Sequence, residues 1–357
     1  MVQDKQGYIW LATVDGLQRY DGNRFFTFRH SSADPHSIPA DFISQLTKDE
    51  HDNLWLATGG KIGFFDTKKF RFTAIPIEGE DISDPYYIRF YGNAGNGYMA
   101  LYAENKGFFI YDPDAKMFKH KISFKLSEKQ YLYEIESIDS SRNYWVATHG
   151  GLLVYNDETG NLNYRGHNPD SNIFINRLKN DTSINSFYRY KNDTLWYSSW
   201  PLVAYAPFIH ALNVKTGEKK TYSISKLFNY GYIELGGALF QANGRKWFYG
   251  RSFIAEYTGN DAAPFQLIPN QYTSEQSITF DRVYQMMEDR QHNIWVATDN
   301  GVFVFNPDMQ VFNNYNLRRG PGKEIVAAGA TNACELKNGN VLITSWGSGL
   351  FYYDNKF

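Results

Sequence analysis

Seven residues in this chain have side chains and settings suited to holding a polyhydroxylated ligand. Trp200 lies in "SSWPLVAYAPF", Arg251 in "GRSF", His149 in "THGG" and Trp346 in "TSWGSG"; Tyr86, Tyr87 and Tyr230 lie in longer polar stretches. Aromatic rings offer flat apolar faces beside polar tips, and sugar rings stack on such faces. A guanidinium grips a carboxylate or sulfate through paired N–H donors. The surrounding hydroxyls and amides match sugar hydroxyls. This mixture predicts a binding surface for an oligosaccharide. The competing reading of each residue is that it packs its own loop or meets another domain.

Signatures of catalysis are thin. The eight histidines show no H-E-x-x-H or comparable ligand spacing, so no metal site is expected. His51 and His292 each precede a tryptophan within a turn and read as decoration of a repeat. No G-x-S-x-G elbow and no P-loop occurs. Aspartates stand six residues before a tryptophan at Asp4, Asp49, Asp139 and Asp289. The stretch "DKQGYIW" differs from the Asp-box of sialidases in the separation of its Asp and Gly. Four equivalent carboxylates on separate units do not make one acid–base pair. They are expected to cap turns by accepting backbone hydrogens. No catalytic residue and no cofactor is therefore expected.

Composition narrows the partners. Lys and Arg number 36 against 38 Asp and Glu, a net charge of −2. Nucleic-acid binding would need a basic stripe, so no nucleic-acid partner is expected. Cys334 is the single cysteine, which excludes an internal disulfide; within "TNACELKNG" it reads as a buried core residue of a strand. No apolar run approaches the roughly 20 residues that span a bilayer, and no signal peptide is legible. Direct membrane contact from this segment is not expected. Both ends of the sequence fall inside repeats, so the chain reads as a piece of a longer protein.

What positions the candidate residues is a repeat. The stretch "YIWLAT" returns as "LWLAT", "YWVAT" and "IWVAT". Alignment places anchors at Trp10, Trp55, Trp145, Trp196, Trp247 and Trp295, with Ala100 and Leu342 in two degenerate copies. Successive spacings are 45, 45, 45, 51, 51, 48 and 47 residues. A period of this size, several short strands per unit and no sustained helical periodicity point to β-propeller blades. Each copy parses into four strands, with the tryptophan on the second. That strand is apolar at nearly every position, as expected when neighbouring blades cover both of its faces. Trp10 and Ala12 should face one neighbour, Ile9 and Leu11 the other.

The fold class is therefore all-β, a propeller of four-stranded antiparallel blades. Seven blades with an extra repeat unit are expected, eight blades being the alternative. Residues from about 1 to 315 would supply seven blades. Those from about 316 to 357 would form an eighth repeat, either a last blade or the start of a second propeller. The long loops between copies and the turns between second and third strands should share one face. The candidate binding residues would gather there.

The pattern D-x-x-G-x-I-W-L-A-T-x-D-G-L-x-R-Y-D-G, here Asp4 to Gly22, closely resembles the two-component regulator propeller repeat. The resemblance implies a periplasmic sensor region of a Bacteroidetes hybrid two-component system, attached to an inner-membrane histidine kinase. It implies as partners an oligosaccharide ligand, the remaining domains of the parent kinase and, in some assemblies, a second copy. The chain is shorter than the family's usual pair of propellers and contains no kinase segment. A non-catalytic ligand sensor is the reading this supports. A protein-interaction scaffold is the alternative, and a carbohydrate-active propeller enzyme a more remote one.

Overall fold

The computed structural model describes residues 1–49, 51–79, 88–91, 99–103, 106–122, 132–136, 143–201, 206–224, 233–268, 278–308, 318–319, 324–325 and 330–353. They fall into two units, Met1–Asn306 and Pro307–Phe357. Among the described residues helix is confined to Ile173–Arg177.

Among its described residues the first unit holds seven antiparallel sheets whose strands pair in sequence order. The first comprises Val2–Gln3, Ile9–Thr13, Gly16–Tyr20 and Phe25–Phe28; the second, Ile43–Lys48, Leu54–Thr58, Lys61–Asp66 and Arg71–Ala74. The third holds Ile88–Tyr91, Ala100–Ala103, Gly107–Asp112 and Met117–Ile122; the fourth, Leu132–Glu136, Asn143–Thr148, Gly151–Asn156 and Leu162–Tyr164. The fifth runs through Ile184–Lys191, Thr194–Ser199, Phe208–Asn213 and Lys219–Ser223. Leu235–Phe240, Lys246–Gly250, Phe253–Tyr257 and Phe265–Leu267 make the sixth, and Val283–Glu288, Ile294–Thr298 and Gly301–Phe305 the seventh.

The core lies between sheets. Trp10, Ala12 and Leu17 meet Leu54, Leu56 and Phe65 of the second sheet, whereas Ile9 and Leu11 meet Trp295 of the seventh. The alternation expected of the tryptophan strand is thus observed. Trp55 packs against Leu101 and Phe109, Trp145 against Leu195 and Tyr197, Trp196 against Phe248, and Trp247 against Ile294 and Val296. Between the third and fourth sheets Ala100 takes the tryptophan's place, and Phe108, Tyr144 and Tyr155 fill the gap. Seven sheets share seven clusters in cyclic order, and Trp295 returns the chain to its first sheet. All six anchor indoles are at most 8% exposed. Removing one would cost roughly 3–5 kcal/mol, the usual range for a core Trp→Ala change.

A shared turn precedes the tryptophan in four of the sheets. Asp49 Oδ1 accepts the backbone N–H groups of His51 and Asn53, at 3.0 and 2.9 Å. Its Oδ2 accepts the Trp55 indole N–H at 2.9 Å. Asp289 does the same for Gln291, Asn293 and Trp295, and Asp4 holds Tyr8 and Trp10. Gln241 substitutes at the sixth sheet, taking the Trp247 N–H at 2.7 Å. Asp139 lies outside the described residues. The third residue before the anchor is left-handed at Gly7, Asp52, Asp193, Gly244 and His292, which places His292 as a member of a turn.

The second unit contains a pair of two-residue strands, Arg318–Arg319 and Glu324–Ile325, and a sheet of Ala330–Glu335, Val341–Ser345 and Gly349–Tyr353. Cys334 is exposed, against the expectation of a buried residue. The reason is physical. No second sheet packs on this one among the unit's described residues, and a lone sheet cannot cover both of its faces.

Candidate functional site

The turns between second and third strands recur as a small device. Thr13 Oγ1 donates to the Gly16 carbonyl at 2.7 Å and accepts the Asp15 N–H at 3.0 Å. Thr148 and Thr298 repeat it with Gly151 and Gly301. The glycine has φ of +102, +114 and +101° in these three copies, the left-handed region that glycine enters without steric cost. This explains the threonine in three copies of the W-x-A-T stretch; in the second sheet Thr58 Oγ1 instead donates to the Ala40 and Phe42 carbonyls.

These turns are tied to the loops that lead into the sheets, the following sheet in three cases and, for Arg251, its own. Gly16 N–H donates to Asp41 O, Ser183 N–H to His149 O, Arg251 N–H to Glu234 O and Ser252 N–H to Asp281 O. Turns and inter-sheet loops therefore share one end of the strands, as the topology predicts.

Three of the candidate residues sit at that end. His149 and Trp200 meet across Ser183. The Ser183 hydroxyl lies 3.0 Å from His149 Nδ1, and Trp200 N–H donates to Ser183 O at 2.8 Å. Trp200 is half-buried. Arg251 is exposed on the sixth sheet, and its guanidinium is 3.2 Å from the Asp281 carboxylate. Arg282 pairs with Glu234 at 2.6 Å beside it. Arg251 is thus one member of a row of alternating charges rather than a lone cation. Trp346 is 84% exposed and belongs to the second unit. Tyr86, Tyr87 and Tyr230 lie outside the described residues.

The loop "NYRGHNPDSNIFINRLKND" is less irregular than its composition suggests. Asn172 caps the short helix Ile173–Arg177 by accepting the Phe174 N–H at 2.9 Å. Phe174 then stands edge-on to Trp145, with ring centroids 4.2 Å apart. The loop so roofs the gap between the fourth and fifth sheets.

Next to Trp200 lies a pair that sequence spacing does not single out. Ser199 Oγ is 2.8 Å from His210 Nε2, and His210 Nδ1 is 3.0 Å from Thr221 Oγ1. Burial lowers the His210 pKa to about 4, so the ring is neutral at physiological pH. It stacks on Tyr197 at 4.6 Å. The third partner is a hydroxyl, not the carboxylate that orients and charge-balances a catalytic histidine. Adjacent strands bring these side chains together through register, which no motif records. Among the described residues no group of three His, Cys, Asp or Glu side chains is arranged to hold a metal. Nor is any helix among them long and apolar enough to cross a membrane.

Repeated antiparallel sheets, packed face to face in a closed cycle and presenting their turns at one end, define a β-propeller. Within it, residues 277–300, through the Trp295 strand and its Thr298 turn, match the two-component regulator propeller. The resemblance carried by the Asp4–Gly22 pattern is therefore supported at an independent copy. Among solved structures, the extracellular domain of BT3049 from B. thetaiotaomicron, assigned to a hybrid two-component system, matches 100% of this chain with 16% identity and a TM-score of 0.63. The chain spans about half of that domain, 51%. The WD40 propeller of Doa1 matches 86% of the chain and 92% of its own length, with 10% identity and a TM-score of 0.55. At such identities the likeness concerns the fold. No curated protein matches the sequence.

Proposed function

We propose that this chain is part of the ligand-sensing ectodomain of a hybrid two-component system, located in the periplasm and joined to an inner-membrane histidine kinase through domains beyond it. It recognises an oligosaccharide without turning it over, at the strand end that carries His149, Trp200 and Arg251. The observation that carries this reading is the Ser183 linkage, which draws an aromatic ring, an imidazole and hydroxyls from consecutive sheets onto one surface. The repeat match and the likeness to an extracellular sensor domain support it. Residues beyond about 316 begin a second propeller, in keeping with the exposure of their sheet on its own.

The closed cycle of sheets moves as a body. A ligand then acts by binding one arrangement of domains, or of two copies, more tightly than another. Calorimetric titration with defined neutral oligosaccharides tests the reading. The expected result is saturable binding with the sugar recovered intact, weakened at least about tenfold, ~1.4 kcal/mol, by Trp200→Ala. Arg251→Ala should weaken it too. Unchanged affinity in both variants removes the surface, and a cleaved product makes the chain an enzyme.

A further inference from the structure

At the opposite end of the strands the sheets are braced by a different contact. In three of the turns that precede a tryptophan, a backbone N–H donates to a side chain of the following sheet. Lys5 N–H donates to the Asp52 carboxylate at 3.0 Å, Ala242 N–H to Glu288 at 2.8 Å, and Arg290 N–H to Gln3 Oε1 at 3.0 Å. The accepting side chain stands seven or three residues before its anchor. On the sixth sheet those positions are Phe240 and Gly244, and neither side chain can accept. The fifth sheet meanwhile extends its first hairpin to the Lys191–Thr194 pair. Where the brace would stand, a cavity of about 480 Å³ opens between the two sheets.

Its lining has one sign of charge. Arg189, Lys191 and Lys246 reach it together with Trp196, Phe240 and Tyr257. Lys246 Nζ lies 5.7 Å from the Trp196 ring centre and 5.5 Å from that of Tyr257. None of the three cations pairs with a carboxylate among the described residues. The nearby acids are engaged elsewhere: Asp193 with Lys215, Asp261 with Lys220, Glu256 with Arg245, and Glu288 with Ala242 and His292. Burial, with Arg189 close by, lowers the Lys246 pKa, as expected of a cation short of a partner. Trp196 adds a donor. The residue six before it is Tyr190, where four other copies place an aspartate. Although the ring is 8% exposed, its indole N–H has no acceptor among the described residues.

We propose that this cavity is a second ligand site, for an anion borne on a ring, such as an acidic sugar carrying a carboxylate or sulfate. Lys246, Arg189 and the Trp196 N–H receive the anionic group, and Trp196 and Tyr257 flank the ring. The proposal does not rest on the oligosaccharide surface, which lies at the other end of the strands.

Titration of the whole chain with glucuronate, glucose 6-sulfate, inorganic sulfate and glucose tests it. Binding of either ring-borne anion at millimolar concentration is expected, at least about tenfold tighter than glucose or inorganic sulfate. Which of the two binds more tightly identifies the anionic group. Lys246→Met and Arg189→Gln should each weaken that binding about tenfold or more while leaving the melting temperature and the response of Trp200→Ala to neutral oligosaccharides unchanged. Trp196→Phe keeps a ring in the core and should weaken the anion alone. The proposal is overturned if neither ring-borne anion binds, if glucose or inorganic sulfate binds as well, or if the charge variants bind like the native chain. Failure at Trp200 with success here would leave this site standing, and the reverse would remove it alone.

Discussion

At the scale of single residues, the repeat depends on a carboxylate that serves two partners at once. Asp289 is 7% exposed and holds both the backbone of its turn and the Trp295 indole. Its pKa reflects a contest. Burial pushes it up, and hydrogen bonds from Trp295, Asn293 and the turn backbone pull it below the usual carboxylate range. Its folded pKa thus lies below the unfolded value of about 3.9, so its stabilisation is present above that value and is lost as pH falls through the folded pKa. Asp289→Ala should cost ~2–3 kcal/mol at pH 7, because a buried indole N–H loses its acceptor. The gap to the native chain in urea midpoint should narrow at about pH 3, below the unfolded pKa. Gln241→Ala removes the neutral equivalent and should show a loss that does not change over the same range. Equal pH responses in the two variants would refute the carboxylate's role. The spacing of these aspartates is plain in the sequence, as is their capping of the turn. Their grip on the tryptophan is not, because it depends on how the turn folds back toward the strand.

At the scale of elements, the strands follow from alternation and the turns from glycine. Gly16 and Gly301 occupy equivalent turns with nearly the same φ, yet their surroundings differ. A methyl group on Gly16 would press into the Phe28 carbonyl, whereas one on Gly301 meets nothing within 4 Å. Gly301→Ala should therefore cost about 1–2 kcal/mol, the price of the left-handed backbone alone. Gly16→Ala should cost more, and chemical denaturation of the two variants side by side measures the difference. Thr148→Val, which leaves the Gly150 N–H and Gly151 carbonyl without their buried partner, should cost ~1–3 kcal/mol. Short polar loops were legible in the same way. The Asn172-capped turn of helix was obscured, because a five-residue helix has no periodicity to show and is held by Phe174 on Trp145. Cys334 was misread because an apolar, strand-like context predicts burial only when a neighbouring sheet is there to supply it.

For the whole molecule, the question is what the seventh cluster contributes. Trp295 is enclosed by Ile9, Leu11 and Tyr20 of the first sheet, and the Met1 carbonyl accepts the Gln285 side-chain N–H at 3.1 Å. Arg290 adds donors to the Asp4 and Lys5 carbonyls. In a closed cycle this junction is equivalent to any other, so Trp295→Ala and Trp55→Ala should destabilise alike, by roughly 3–5 kcal/mol. In an open arc the last sheet would have no partner, its indole would lie in water, and removing it would cost little. The shape of unfolding carries the same information. Each sheet in a cycle has two neighbours, so no end exists from which to fray, and Trp295→Ala should still unfold in one transition, only earlier. A separate low-stability phase in that variant, absent from Trp55→Ala, would mean that the seventh sheet is a terminus. The repeated tryptophan strand made a propeller legible from the sequence. Closure depends on the pairing of residues some 285 positions apart, which spacing alone does not reveal.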